Sequence, residues 1–239
     1  MKNSVKKILN YGLWTSLIYL ISEVKYFLFY RMLLGTYSQK QEDLVIDRLI
    51  GNKKKNGFYV DIGANDPIRF NNTYRFYKKG WRGINVEPNI NIIKKLNKIR
   101  PRDTNINYGL SGSRGKLFFY SFYTDTLSTF SKKEAEEYVK KGFDLESIKK
   151  IDTVTMKELF IKYKINKIDI LSIDTEGYDL IILKSNDWEK FRPKVLCVES
   201  AIFGDDSSNN GIEIRKYVTG NGYRLVYENG LNAIYIDSL

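Results

Sequence analysis

The sequence predicts an α/β fold, a doubly wound and mostly parallel sheet that closes with an antiparallel carboxyl-terminal strand. Three observations predict it. From Tyr37 onward, short apolar runs alternate with stretches of helical spacing, the pattern of strands joined by crossover helices. The first run ends in a glycine turn at Gly63, and the second ends in an acid, Glu87. The last two runs are separated only by a turn at Asn229-Gly230, which makes them a hairpin. With 239 residues and 43% hydrophobic composition, the chain suits one domain of about 200 residues plus an appendage.

The appendage is residues 1–36, and the domain is 37–239. Lys2, Lys6 and Lys7 precede an uncharged apolar stretch from Ile8 to Ser22, which resumes at Tyr26 to Tyr30 after Glu23 and Lys25. This reads as a helical segment. The run is too short to span a bilayer, and no small-residue cleavage site follows it. Trp14, Tyr19, Phe27, Phe29 and Tyr30, with five basic residues against the single acid Glu23, suit a membrane interface. Peripheral membrane contact through residues 8–34 of a cytoplasmic protein is therefore one expectation. Packing of the helix on the domain, or on a second copy in a homo-oligomer, is the other.

Within the domain, Gly57 to Gly63 is a buried strand with its turn, and Asn72 to Lys79 a helix. Gly83 to Glu87 is a second strand, stopped by Pro88 at the start of a helix over Ile90 to Ile99. Asn105 to Leu110 and Lys116 to Phe122 are further strands. Helices follow over Lys132 to Lys141 and Thr155 to Tyr163. Ile168 to Ile173 and Lys194 to Glu199 are buried strands on either side of a helix at Tyr178 to Ser185. A loop over Gly204 to Gly211, a helix over Ile212 to Thr219 and the hairpin strands Tyr223 to Tyr227 and Asn232 to Ile236 complete the chain.

Composition removes several chemistries. The chain has no histidine and one cysteine, Cys197, so a Cys/His zinc site, an intramolecular disulfide and a histidine-dependent triad are all excluded. The net charge of +11 is spread in twos and threes of lysine, which gives no expectation of a nucleic-acid partner. Trp81, Trp188 and Cys197 read as core residues. Asn71-Asn72-Thr73 matches a glycosylation triplet, but its place beside the glycine turn makes it a chance match. The polar stretch Thr124 to Lys141 reads as a surface insertion, with a cap over the acceptor site as the alternative.

In an open α/β sheet, ligands bind at the carboxyl ends of the strands. Asp61-Ile62-Gly63-Ala64-Asn65-Asp66 stands at the first end and Glu87 at the second. Asp174-Thr175-Glu176-Gly177 and Glu199 stand at two later ones. A glycine turn with an acid at the next strand end points to a nucleoside cofactor. A dinucleotide needs further glycines where this chain has Asn65 and Ile68, and Asp61 and Asp66 would repel a pyrophosphate. The same acids favour a cationic ligand end, so S-adenosylmethionine fits better than a nicotinamide dinucleotide.

These residues resemble the FkbM family of class I methyltransferases. The resemblance rests on Tyr59 to Asn65, Ile84 to Pro88, Asp169 to Gly177, Val195 to Glu199 and Asn232 to Asp237. It covers residues 37 to 237. It implies a Rossmann-like sheet of seven strands with the last antiparallel, S-adenosylmethionine as donor, and O-methylation of sugars or natural products. It departs from the family pattern at Ser172 and at Asp66-Pro67.

By this resemblance Asp61, Gly63, Ala64, Asn65 and Asp66 line the methionine end of the donor. Glu87 holds the ribose, Leu110 and Ser111 face the adenine, and Asp174 and Glu176 lie near the transferred methyl. An alcohol acceptor must lose a proton, and without histidine the base is a carboxylate, lysine or tyrosine. Asp174 or Glu176 is the expected base, with Tyr178 behind them. No metal is expected, although Mg²⁺ held by Asp174, Glu176 and Glu199 is a chemically sound alternative. The acceptor is expected to be a glycan, glycolipid or related small molecule. The competing readings are a nicotinamide-dependent oxidoreductase and a binding protein that keeps the fold without catalysis.

Overall fold

The apolar runs gather into one sheet because most of them are hydrophobic on both faces, and helices must cover both. The computed structural model describes residues 21, 24, 26–51, 54–200 and 207–239. The chain divides into two compact units, Met1–Tyr37 and Ser38–Leu239.

In the first unit, Tyr26–Leu33 is wound as a π-helix rather than the α-helix its spacing predicts. Phe29, Met32 and Leu33 are exposed, and the Arg31 guanidinium lies over the Tyr37 ring. Trp14, Tyr19 and the side chains of Phe27 and Tyr30 lie outside the described residues. Among the described residues, no helix is long and apolar enough to cross a membrane.

The second unit runs α1 (Glu42–Ile50), β1 (Phe58–Ile62), α2 (Tyr74–Lys78), β2 (Arg82–Val86), α3 (Ile90–Ile99) and β3 (Thr104–Ile106). It continues with β4 (Gly109–Leu110), β5 (Gly115–Phe122), α4 (Lys132–Lys140), β6 (Leu145–Val154) and α5 (Met156–Lys162). Then come β7 (Ile170–Ile173), α6 (Asp179–Lys184), β8 (Val195–Glu199), α7 (Ser207–Gly220), β9 (Tyr223–Glu228) and β10 (Asn232–Asp237). The main sheet has seven strands in the order β3-β2-β1-β7-β8-β10-β9. Strands β3, β2, β1, β7 and β8 pair in parallel, and β10 pairs antiparallel with both β8 and β9.

The helix starts are chemically marked. Thr155 and Glu158 form a reciprocal capping box on α5, Ser131 caps α4 and Asn89 caps α3. Pro88 therefore stands ahead of the cap, not at the first helical position. Residues 201–206 of the expected loop lie outside the described residues, and from Ser207 the chain is already helical.

Two expectations change. The run Asn105 to Leu110 splits, with β3 in the main sheet and β4 in a second sheet of order β4-β6-β5. The long strand β6 was not expected at all. Its exposed lysines Lys149 and Lys150 conceal the strand periodicity, because only Thr153 and Val154 at its end are buried.

The order of the main sheet reverses at β1 and β7, and register makes this switch point a site. Ile62 pairs with Val86 on one side and Ile173 on the other, and Ile173 pairs with Val198. Four neighbouring strands thus stop level with one another. Gly63, Glu87, Asp174 and Glu199 each stand one residue beyond the aligned positions.

Candidate functional site

Gly63 begins the site because the chain must turn where β1 meets the end of β7. Its φ is +76°, and a Cβ there would stand 1.8 Å from the Asp174 carbonyl oxygen. The Gly63 and Ala64 N–H groups donate to the Val86 carbonyl at 3.0 and 3.3 Å, and the Asp174 N–H donates to Ile62 at 3.0 Å. Asn65 follows in the left-handed region at φ 43°. Its N–H donates to Glu87 Oε2 at 3.1 Å, while the Asn89 N–H donates to Glu87 Oε1 at 2.8 Å. Glu87 is 5% exposed, and burial raises its carboxyl to about 7. Asp66 Oδ1 accepts from the Ile68 and Arg69 N–H groups, both at 2.9 Å, and so shapes the exit of the turn.

Asp61 lies under this turn, 4% exposed. Its Oδ2 accepts from the Thr73 hydroxyl at 2.7 Å and the Asn71 amide at 3.2 Å. Arg100 approaches within 4.0 Å. Burial raises the Asp61 carboxyl, and Arg100 opposes that rise. Asn71, Thr73 and Arg100 were not singled out in the sequence as site residues. An arginine after a helix and an Asn/Thr pair before one carry no signal of enclosure.

Leu110 and Ser111, expected to face the adenine, lie one step further along. The Asn107 amide donates to the Glu87 and Pro88 carbonyls at 3.0 and 2.8 Å. The Ser111 N–H donates to Val154 at 3.0 Å, and Leu110 is packed in the main core. No hydrogen bond among the described residues joins Leu110 or Ser111 to Glu87.

Across the switch point, β7 and β8 bring three acids together. Asp174, Glu176 and Glu199 each offer a carboxylate oxygen within 4.8 Å of the others, so the set could hold a divalent cation. Set this close, the three carboxyls raise one another's hold on a proton. Glu176 sits at φ 51°. The buried Asp179 holds this turn, accepting from the Thr175 N–H at 3.1 Å and the Gly177 N–H at 3.3 Å. Burial, reinforced by neighbouring acids, raises Asp174 to about 7 and Glu176 to about 8. Glu199 is pushed up from the same causes. No salt bridge reaches these three carboxyls among the described residues.

The stretch Thr124 to Lys141 is more than a surface insertion. The Thr129 hydroxyl donates to the Glu176 carbonyl at 2.7 Å, and the Tyr138 hydroxyl donates to Glu176 Oε2 at 2.8 Å. Phe130 packs on Tyr178 with ring centroids 5.8 Å apart, so that tyrosine is engaged in aromatic packing. Tyr138 lies 38 positions from its partner, a separation that no local motif reveals.

Comparison with known proteins agrees with this geometry. The Methyltransferase FkbM domain matches residues 61–225, which is more than half of the chain. No curated protein matches. Among solved structures, the chain is similar to a candidate rRNA methylase from Clostridium thermocellum, with 11% identity and a TM-score of 0.45. That match covers 85% of this chain and 98% of the other. A candidate caffeoyl-CoA O-methyltransferase from Staphylococcus aureus gives 11% identity and a TM-score of 0.44, covering 93% and 98%. The matched span contains the glycine turn, Glu87 and all three clustered acids: this chain belongs to the FkbM methyltransferase family.

Proposed function

We propose that the protein is an S-adenosylmethionine-dependent O-methyltransferase acting on a sugar hydroxyl of a glycan, glycolipid or related small molecule. The observation that carries this reading is the alignment of four strand ends, which sets Gly63 and Glu87 beside carboxyls that titrate near neutrality.

The residues suit the donor. The turn at Gly63 has no room for a side chain against the Asp174 backbone, so β1 and β7 bring Asp174 next to the turn. Glu87 uses one lone pair on each oxygen for Asn65 and Asn89 and keeps the others for vicinal hydroxyls. The acids at Asp61 and Asp174 favour a cationic ligand end. When bound, S-adenosylmethionine supplies an electrophilic methyl carbon on a sulfonium.

The chain's own task is to align the acceptor oxygen and remove its proton. A base works best with a pKa near the working pH, and Asp174 and Glu176 are shifted into that range. We assign the proton to Asp174, whose carboxyl can share it with Glu199. Tyr138 and Thr129 hold Glu176 in place beside them. The alcohol acceptor is favoured because a hydroxyl proton requires such a base at the moment of transfer.

Calorimetry with S-adenosylhomocysteine tests the donor, and a wild-type protein that fails to bind it would end the reading. A radiolabelled-donor screen against cell-envelope glycan and lipid fractions tests the acceptor. Label is expected on oxygen in wild type and absent with Asp174→Asn. Label on nitrogen or carbon would overturn the O-methyl assignment.

A further inference from the structure

Arg100 is fully enclosed, at 0% exposure, just after α3. Its Nε donates to Asp103 Oδ2 at 2.9 Å, one terminal nitrogen to Asn71 Oδ1 at 3.1 Å and the other to the Thr73 hydroxyl at 2.8 Å. The Tyr59 and Tyr77 rings lie 5.2 and 5.5 Å from the guanidinium carbon. Burying such a charge is costly, and apolar side chains of similar volume often replace buried ion pairs without loss of stability. The polar fork therefore calls for an explanation beyond filling space.

Its partners supply one. A guanidinium only donates, so it turns the Asn71 amide oxygen toward itself and the amide nitrogen away. The Thr73 and Tyr74 N–H groups, at 3.0 and 2.8 Å, hold the same oxygen. The amide nitrogen then donates to the Ala64 carbonyl at 3.0 Å and the Asp66 carbonyl at 3.3 Å, on either side of Asn65. The Thr73 hydroxyl passes its proton donation on to Asp61. Each arm of the fork thus ends on the glycine turn, on the acid beneath it, or on Asp103, which anchors the guanidinium to β2 through the Gly83 N–H at 3.0 Å.

We propose that Arg100 is a positioning residue for donor binding, setting through Asn71 and Thr73 the shape of the 63–66 turn that receives the donor's amino-acid end. The inference rests on the donor reading above. The fork acts on one end of the ligand only, so its loss must be unequal across the ligand.

The test compares S-adenosylhomocysteine with 5′-methylthioadenosine, which lacks the amino-acid end, by calorimetry on the full chain. Arg100→Lys keeps the charge and loses the fork. It is expected to weaken S-adenosylhomocysteine at least tenfold and to change 5′-methylthioadenosine less than twofold, with an unchanged circular dichroism spectrum. Should that variant fail to fold, Asn71→Asp carries the test. It still accepts from Arg100 but offers no N–H to the turn, and the same selective loss is expected. Equal weakening of both ligands, or unchanged affinity for both, overturns the positioning role while the donor reading stands. A wild type that binds neither ligand brings down the donor reading and this inference together.

Discussion

Asp61 and Asp174 lie at the ends of neighbouring strands, β1 and β7, yet the protein surrounds them with opposite kinds of partner. Asp61 has a buried arginine 4.0 Å away and two side-chain donors on one oxygen. Asp174 has other acids, Glu176 and Glu199, each with a carboxylate oxygen within 4.8 Å. The first arrangement surrounds the carboxyl with donors, two of which also reach or flank the glycine turn. The second leaves carboxyls short of compensation, so that protons move on and off near neutral pH. Burial raises both carboxyls, but donors oppose that rise at Asp61 while neighbouring acids add to it at Asp174.

Removing the poised carboxyl breaks the comparison most directly. Asp174→Asn is expected to lower methyl transfer by about 100-fold or more, the usual scale for a general base. Single-turnover assays with labelled donor measure it, and retained activity would show that the acid cluster is not the base.

The pinned centre answers through stability instead. Asp103 accepts from Tyr59, Gly83, Asn85 and Arg100, so Asp103→Asn removes the closest anion from a buried guanidinium. Urea unfolding is expected to show a loss of about 3 kcal/mol, the range for breaking a buried ion pair.

The pH profile sharpens the contrast. With Asp174 at about 7, the ionised fraction rises about tenfold between pH 6 and pH 8, and the transfer rate is expected to rise with it. A flat profile would move the base elsewhere.

The same contrast has a thermal reading. Glu176 is raised from an ordinary 4.5 to about 8, so the folded chain holds a proton that the unfolded chain has released. Stability from this group is complete below about pH 4.5 and lost as pH climbs through 8. Glu176→Gln is accordingly expected to raise the melting midpoint at pH 8 by about 10 °C, and to leave it unchanged at pH 4.

The sequence exposes what is local. Gly63, Glu87 and Asp174 stand at the ends of apolar runs, where a two- or three-residue pattern suffices to find them. The seven-stranded, mostly parallel sheet likewise follows from the alternation and the family resemblance. What it hides is assembled across distance. Arg100 reads as an ordinary cation after a helix, and nothing adjacent announces that Asp61, Asn71 and Asp103 enclose it. Tyr138 belongs to a charged helix whose polar character argues for a solvated surface, until Glu176 is seen against it. Strand β6 is lost for a related reason: a strand exposed along most of its length has no apolar alternation to read.

The triplet Asn71-Asn72-Thr73 has the form of an oligosaccharide acceptor, but Asn71 is 3% exposed and its amide is spent on the glycine turn. A sugar attached during synthesis would block that amide before the turn closed over it. Production in a secretory host that modifies such triplets would therefore yield chains unable to complete the donor site. Expression in a compartment without that machinery avoids the trap.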